Sequence, residues 1–198
     1  MSRPIIVGIT GASGVIYGVE TLRVLRELGH ETHLILSRAG EINLKIETDY
    51  SPEQVRSLAR VVHEIDDIAA PVASGSFPIQ GMIVAPCSIK TVSAIANSYS
   101  DNLLVRAADV TLKERRTLVL MVRETPLHKG HLDLMSRAAD LGAIILPPIP
   151  AFYHQPAGIE ALIRQSVGKA LDFFGIEHHL FQRWGNKEHP LESETPET

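Results

Sequence analysis

The chain predicts a three-layer α/β domain, doubly wound around a mainly parallel sheet, and three observations carry that expectation. Short β-branched runs over 5–9, 31–36, 81–85, 117–122 and 143–146 alternate with helix-length segments. Within these runs the apolar residues are nearly continuous, as in strands covered by helices on both faces. Several runs end in Gly, Ser or Arg, polar chemistry at the carboxyl edge where open parallel sheets bind ligands. The architecture expected is of the Rossmann or flavodoxin kind. A single domain covers 1–184, and the polar, acid-rich, Pro-punctuated tail over 185–198 is expected to be disordered.

Ile5 to Ile9 opens the sheet and breaks into Gly8-Ile-Thr-Gly11-Ala-Ser-Gly14. A helix follows with Leu22, Leu25 and Leu28 at three-residue spacing, and Gly29 closes it. Glu31 to Leu36 is the second strand and Arg38 to Ile46 a helix. Ser51-Pro52-Glu53 has the cap and first-turn proline of a helix start, with the helix running to Arg60 before a short strand at Val61-Val62-His63. Asp66 to Gln80, with Ser74-Gly75-Ser76 at its middle, is a long loop of a kind uncommon in compact domains unless it binds something. Gly81 to Ala85 is the next core strand; helices follow to Ser98 and from Asn102 to Arg116. Thr117 to Val122 is a strand, Thr125 and Pro126 are read as the cap and first position of a helix closed by Gly142, and Ala143 to Leu146 is the last strand. Gly158 to Phe174 is the final helix.

The glycine-rich turn is the strongest local signal. Strand, Gly turn and helix start form a phosphate cradle, because helix-terminal amides and the macrodipole favour an anion. Its spacing is G-x-x-G-x-x-G rather than the G-x-G-x-x-G of dinucleotide folds, and no Walker-type G-x-x-x-x-G-K-[ST] occurs. The second strand ends in Ser37-Arg38, where an NAD site places an acid for the ribose. Arg38 leaves an NADP reading open, and a mononucleotide such as FMN fits better.

Composition bounds the partners. The chain is 44% hydrophobic with a net charge of −4 and no basic block, so the electrostatic footprint of a nucleic-acid binder is missing. One cysteine allows no internal disulfide and suits a reducing compartment. No signal-like start and no apolar run near the roughly 20 residues of a spanning helix are seen, so a cytoplasmic location is expected.

At the carboxyl edge gather Gly11-Ala12-Ser13-Gly14, Ser37, Ser88-Ile89-Lys90-Thr91, Arg123-Glu124 and Tyr153. Ser88 begins a helix directly after a strand, which makes either a second anion site or an ordinary N-cap. Arg123 finishes a buried strand, and a charge there must reach a partner or a ligand. Cys87 has no base beside it and reads as a small buried residue. His128, His131 and Asp133 lack a second cluster with ligand spacing, so no metal is expected. His178 and His179 read as surface residues, and Lys113 as part of a solvated helix end.

Five segments together, VGITGASGVIYG, PCSIKT, NLLVRAADVTLKERR, VRETPLHKGHL and PPIPAFYHQP, resemble the UbiX-type flavin prenyltransferases over nearly all of residues 3–184. The resemblance implies an enzyme that joins the dimethylallyl group of dimethylallyl monophosphate to N5 and C6 of reduced FMN, without a metal. The product, prenylated FMN, goes to a partner decarboxylase. It further implies a homo-oligomer, commonly a dodecamer, with active sites at subunit interfaces. By motif, Gly11, Ala12, Ser13, Ser37, Ser88, Ile89, Lys90, Thr91 and Arg123 contact FMN. Tyr153 and Lys169 hold the dimethylallyl phosphate, helped by Lys113, Arg123 and Glu124. Ser13, Glu47, Lys113, Arg123, Glu124 and Trp184 form the implied catalytic set, with Glu47 and Glu124 as carboxylates near the reacting centre and Trp184 covering the flavin. Position 169 is often Arg in relatives; Lys keeps the charge but not the bidentate fork.

The chemistry agrees with that set. An allylic phosphate ionises because its cation is delocalised, and without a metal the leaving phosphate needs cations and hydroxyl donors. Two rivals share the expected fold: an FMN-dependent cysteine decarboxylase, and an FMN-binding electron carrier with no substrate of its own.

Overall fold

The computed structural model describes residues 3–185. Its sheet has six strands: β1 (Ile5–Ile9), β2 (Thr32–Leu36), β3 (Val61–His63), β4 (Gly81–Cys87), β5 (Thr117–Val122) and β6 (Ile144–Ile145). They lie in the order β3-β2-β1-β4-β5-β6, and every pairing is parallel. The chain therefore winds outward in one direction from β1 to β3, then returns to β4 and winds the other way. With right-handed crossovers, that reversal puts the connecting helices on opposite faces.

Side-chain alternation shows the two layers. Ile5, Val7, Ile9, Leu34, Leu36, Ile83, Ala85, Val119 and Met121 face one core, packed by α1 (Ile16–Glu27) and α7 (Ile159–Asp172). Ile6, Ile35, Met82, Val84, Leu118 and Leu120 face the other, under α4 (Ile89–Ala96), α5 (Leu103–Lys113) and α6 (Lys129–Asp140). Strands wetted on neither face explain the continuous apolar runs. α1 lies unusually close to the sheet: a Cβ at Gly18 would come within 2.2 Å of the Ala85 carbonyl oxygen.

Several boundaries differ from the sequence reading. α2 (Arg38–Glu47) is as expected, but α3 (Pro52–Arg56) stops early; its Ser51–Gln54 capping box marks the start, and the chain turns down to β3. β4 runs two residues past Ala85, through a cis Ala85–Pro86 bond and a register shift between Val84 and Cys87. Thr125 does not cap α6. The Thr125–Pro126 bond is cis, a turn geometry, and α6 starts at Lys129 with His128 as its cap. The 66–80 segment is a loop as expected, with one 3-10 turn at Pro71–Ala73. The tail expected to be disordered lies, but for Gly185, outside the described residues.

Candidate active site

At the switch point between β1 and β4 the strand ends part, leaving a cavity of about 740 Å³. Its wall holds Gly11, Ala12, Ser13, Ser37, Ser88, Ile89, Lys90, Thr91, Arg123 and Glu124, so it gathers all nine expected FMN contacts and one expected acid. The volume is within the range of small-molecule sites.

Two helix starts aim at this space. Ser37 caps α2 by accepting from the Gly40 amide at 3.0 Å, and Ser88 caps α4 by accepting from the Thr91 amide at 3.3 Å. Both serines are thus ordinary N-caps as well as cavity residues. The amides of Arg38 and Ala39 and of Ile89 and Lys90 occupy first-turn positions that no carbonyl four residues back can meet. Together with the macrodipoles they favour an anion. Gly11 is needed where the β1 turn meets α2, since a Cβ there would sit 2.3 Å from the Ala39 Cβ.

The head of α1 is different. Gly14, at φ +96°, and Val15 give their amides to the Glu47 carboxylate, at 2.7 and 3.2 Å. The anion at this helix start is therefore supplied by the chain itself. Gly11, Ala12 and Ser13 of the expected cradle still form one wall of the cavity, alongside the starts of α2 and α4.

Arg123 projects from the end of β5 over Gly14 and Tyr17. Burial raises the Tyr17 pKa, and the charge of Arg123 works against that rise. Among the described residues no carboxylate lies within ion-pair distance of Arg123, so a half-buried guanidinium faces the cavity without a counter-ion. Glu124 is exposed, and its carboxylate accepts from the Thr125 amide at 3.0 Å. Arg38 and Asp66 pair across the rim.

Sequence reasoning missed Thr10. Buried at 3% exposure, its hydroxyl donates to the Pro86 carbonyl and accepts from the Ser88 amide, both at 2.8 Å. It ties the end of β1 to the head of α4. Its only signal in the sequence was a position directly after a buried strand. Asp66 and Asp101 also reach the cavity, from segments outside the quoted motifs, and so does Asn102, the cap of α5.

The remaining expected residues do not join the cavity within one protomer. Lys113 ends α5 beside Thr117, the amino end of β5, and pairs with Glu114. Asn102, the cap of α5, lines the cavity, so eleven residues at 1.5 Å rise separate Lys113 from it by roughly 16 Å. Lys169 lies about one and a half turns before Phe174, whose carbonyl accepts from Gln80 Nε2 at the amino edge of β4. Tyr153 and Trp184 meet edge-on at 5.4 Å between centroids. Among the described residues that line the cavity, Trp184 does not appear. His178, expected at the surface, is buried at 7% exposure. Its Nδ1 accepts from the Leu180 amide, leaving Nε2 to donate to the Gly168 carbonyl at 2.9 Å. The apolar packing of Phe181 against Gly168 folds this segment back onto α7. Cys87 is fully buried, and burial pushes its thiol pKa up, away from nucleophile chemistry. His128 and His131 stack with centroids 3.5 Å apart. Among the described residues no group of three or more His, Cys, Asp or Glu could hold a metal ion, and no helix is long and apolar enough to cross a membrane.

Residues 1–163 match the flavoprotein family. The flavin prenyltransferase UbiX of Thauera aromatica is 56% identical over 188 residues, covering 94% of this chain and 97% of its own. The chain belongs to the UbiX-type flavin prenyltransferases. The crystal structure of AnUbiX (PadA1) in complex with FMN and dimethylallyl pyrophosphate superposes with a TM-score of 0.93 at 52% identity, over 95% of this chain and all of that one. A dodecameric FMN-dependent UbiX-like decarboxylase from Escherichia coli O157:H7 gives 0.89 at 45% identity, over 91% and 98%. The fold class and the family resemblance read from the motifs are thus both borne out.

Proposed function

We propose that this flavin prenyltransferase binds FMN in the β1/β4 cavity and joins to it the dimethylallyl group of dimethylallyl monophosphate. The observation that carries the reading is the half-buried Arg123 facing, with two helix starts, a cavity of about 740 Å³. Such a site suits a phosphorylated flavin: orphan first-turn amides and Ser37 and Ser88 take the phosphate, while Ile65, Ala94, Leu104 and Val105 give the ring an apolar wall. The reduced flavin supplies the nucleophile and a π-surface for an allylic cation.

The residues of this chain handle the leaving phosphate. Arg123 places positive charge where the C–O bond breaks, Ser13 adds a hydroxyl donor at the same rim, and Glu124 is placed to exchange a proton with the phosphate. Lys113, Tyr153, Lys169 and Trp184 complete the set from neighbouring copies, because one protomer keeps them away from its own cavity. Exposed Ile42, Ile46, Ile149 and Phe152 give those copies apolar surface to bury. A homo-oligomer, a dodecamer like the Escherichia coli relative, follows. The cations replace a metal, and the product passes to a decarboxylase that requires it. A reducing cytoplasm suits a chain whose one thiol is buried.

Anaerobic incubation with reduced FMN and dimethylallyl monophosphate, in EDTA, is expected to give a flavin heavier by one five-carbon prenyl unit plus free phosphate. Unmodified FMN, with carbon dioxide released from a cysteine-ending substrate, would establish the decarboxylase alternative instead.

A further inference from the structure

Outside the cavity, the most unusual charge arrangement is at the end of α7. Asp172 is the last residue of that helix, where the macrodipole disfavours a carboxylate and favours a cation. Its carboxylate nevertheless holds three partners. Lys169 Nζ lies 3.1 Å from Oδ2, while Arg183 donates through Nη2 to Oδ1 at 2.7 Å and through Nη1 to Oδ2 at 3.2 Å. The third partner, His178 Nε2, is 3.2 Å from Oδ1. Burial works to raise the Asp172 pKa, but the hydrogen bonds from Arg183 and Lys169, and their charges, outweigh it and hold the carboxyl below its ordinary range.

The consequence is a pair of cations on one oxygen. Lys169 and Arg183 would repel each other without Asp172 between them. With it, two cations share one carboxylate and the cluster keeps a net positive charge. The Arg183 guanidinium also lies over the Phe181 ring, 5.2 Å from its centroid, so its plane is fixed from a second side. Two of its five N–H groups point at Asp172, and the others remain for a ligand. Tyr153 is near enough for its phenol to act on the charge of Arg183, and Trp184 stands edge-on to Tyr153. Two oriented cations, a phenol and an indole wall are what a phosphate monoester with a short apolar tail needs.

We propose that Arg183 is a further phosphate-binding residue for the dimethylallyl substrate, and that Asp172 is the positioning residue that holds Arg183 and Lys169 as one anion-binding unit. This rests on the prenyltransferase reading above. It also accounts for lysine at 169: the planar fork that Lys169 lacks is present in Arg183, two contacts away through Asp172.

The test uses the FMN-loaded oligomer and has two readouts. In turnover, Arg183→Ala should raise KM for dimethylallyl monophosphate about tenfold or more, the usual effect of losing a charge-assisted contact, with FMN affinity unchanged. Arg183→Lys should recover part of that loss. Asp172→Asn should raise the same KM, and adding Arg183→Ala to it should cost less than the two separate effects combined. In binding, titration with inorganic phosphate should show weaker affinity for both variants. Unchanged KM and unchanged phosphate affinity in Arg183→Ala overturn the proposal. So does an Asp172→Asn enzyme that loses melting temperature and FMN affinity while its KM is unaltered, because Asp172 then only pins the chain. If the wild-type protein forms no prenylated flavin, the prenyltransferase reading fails, while the phosphate titration still decides the anion site.

Discussion

Replacing Thr10 by valine tests how the cavity is built. Valine has nearly the shape of threonine, so the change removes a hydroxyl without opening a void. What is lost is a donor to the Pro86 carbonyl and an acceptor for the Ser88 amide, each at 2.8 Å in a side chain 3% exposed. At about 1 to 1.5 kcal/mol per hydrogen bond, with an added penalty for a stranded amide, the cost is about 2 to 4 kcal/mol. For a domain of this size that lowers Tm by about 5 to 15 °C at fixed protein concentration. The second effect is functional. Ser88 caps α4, and its amide is no longer anchored, so the first-turn donors of Ile89 and Lys90 lose their aim. FMN affinity, followed by flavin fluorescence, should weaken about tenfold, the equivalent of one good hydrogen bond. Thr10→Ser keeps the hydroxyl and should recover the affinity, losing only the roughly 1 kcal/mol of a buried methyl. A valine variant with wild-type Tm and FMN affinity would refute the reasoning that this hydroxyl sets the head of α4.

Two further outcomes are expected. Glu47→Ala frees the Gly14 and Val15 amides at the head of α1 and should lower stability by about 1 kcal/mol in urea titration, as loss of a helix cap does; Glu47→Gln, which keeps an acceptor oxygen, should recover most of it. His33 and His63 share a hydrogen bond at 3.0 Å, with the His33 ring also packed on Phe77. Burial lowers both pKa values, the charge of His33 lowers that of His63 further, and Glu31 and Asp67 oppose the shifts. Because the unfolded chain binds these protons first, the stabilisation is present above pH 6.5, the ordinary histidine value, and is lost as pH falls below it. Urea titrations at neutral pH and below pH 6 should show that loss in the wild type and a smaller one in His63→Gln.

Much of this was legible in the sequence, for identifiable reasons. Strands buried on two faces leave continuous apolar runs, and Ser37, Ser88 and Asn102 each stand one residue before a helix, where a cap must be. The cavity wall was legible because helix starts after parallel strands point to one edge. The errors share a cause as well. Glu47 and the amides of Gly14 and Val15 are 33 and 32 residues apart, so nothing local revealed that its carboxylate takes both of them. His178 read as exposed because its burial depends on Gly168, ten residues back, leaving room for its ring and that of Phe181. Family likeness assigned Lys113 and Lys169 to a common chemistry, but no pattern within a chain says which copy of it supplies a residue.

That division follows from the fold. In a doubly wound sheet every strand delivers its chemistry to the carboxyl edge, and the helices carry the chain back to the amino edge. Residues on late helical turns, such as Lys113 and Lys169, are therefore separated from the cavity of their own chain by the length of a helix. An allylic cation must form beside the flavin, away from water, with several positive groups around the departing phosphate. One protomer offers Arg123 at its cavity and keeps Lys113, Lys169 and Arg183 elsewhere on its surface. The protomer also exposes Ile46 at 75%, Ile149 at 73% and Trp184 at 66%, and burying each aliphatic against another copy would be favourable by about 1.5 to 3 kcal/mol. In the proposed assembly, association of copies would bury exposed apolar side chains and bring the second set of cations to a cavity. In this reading, assembly and completion of the active site are a single event.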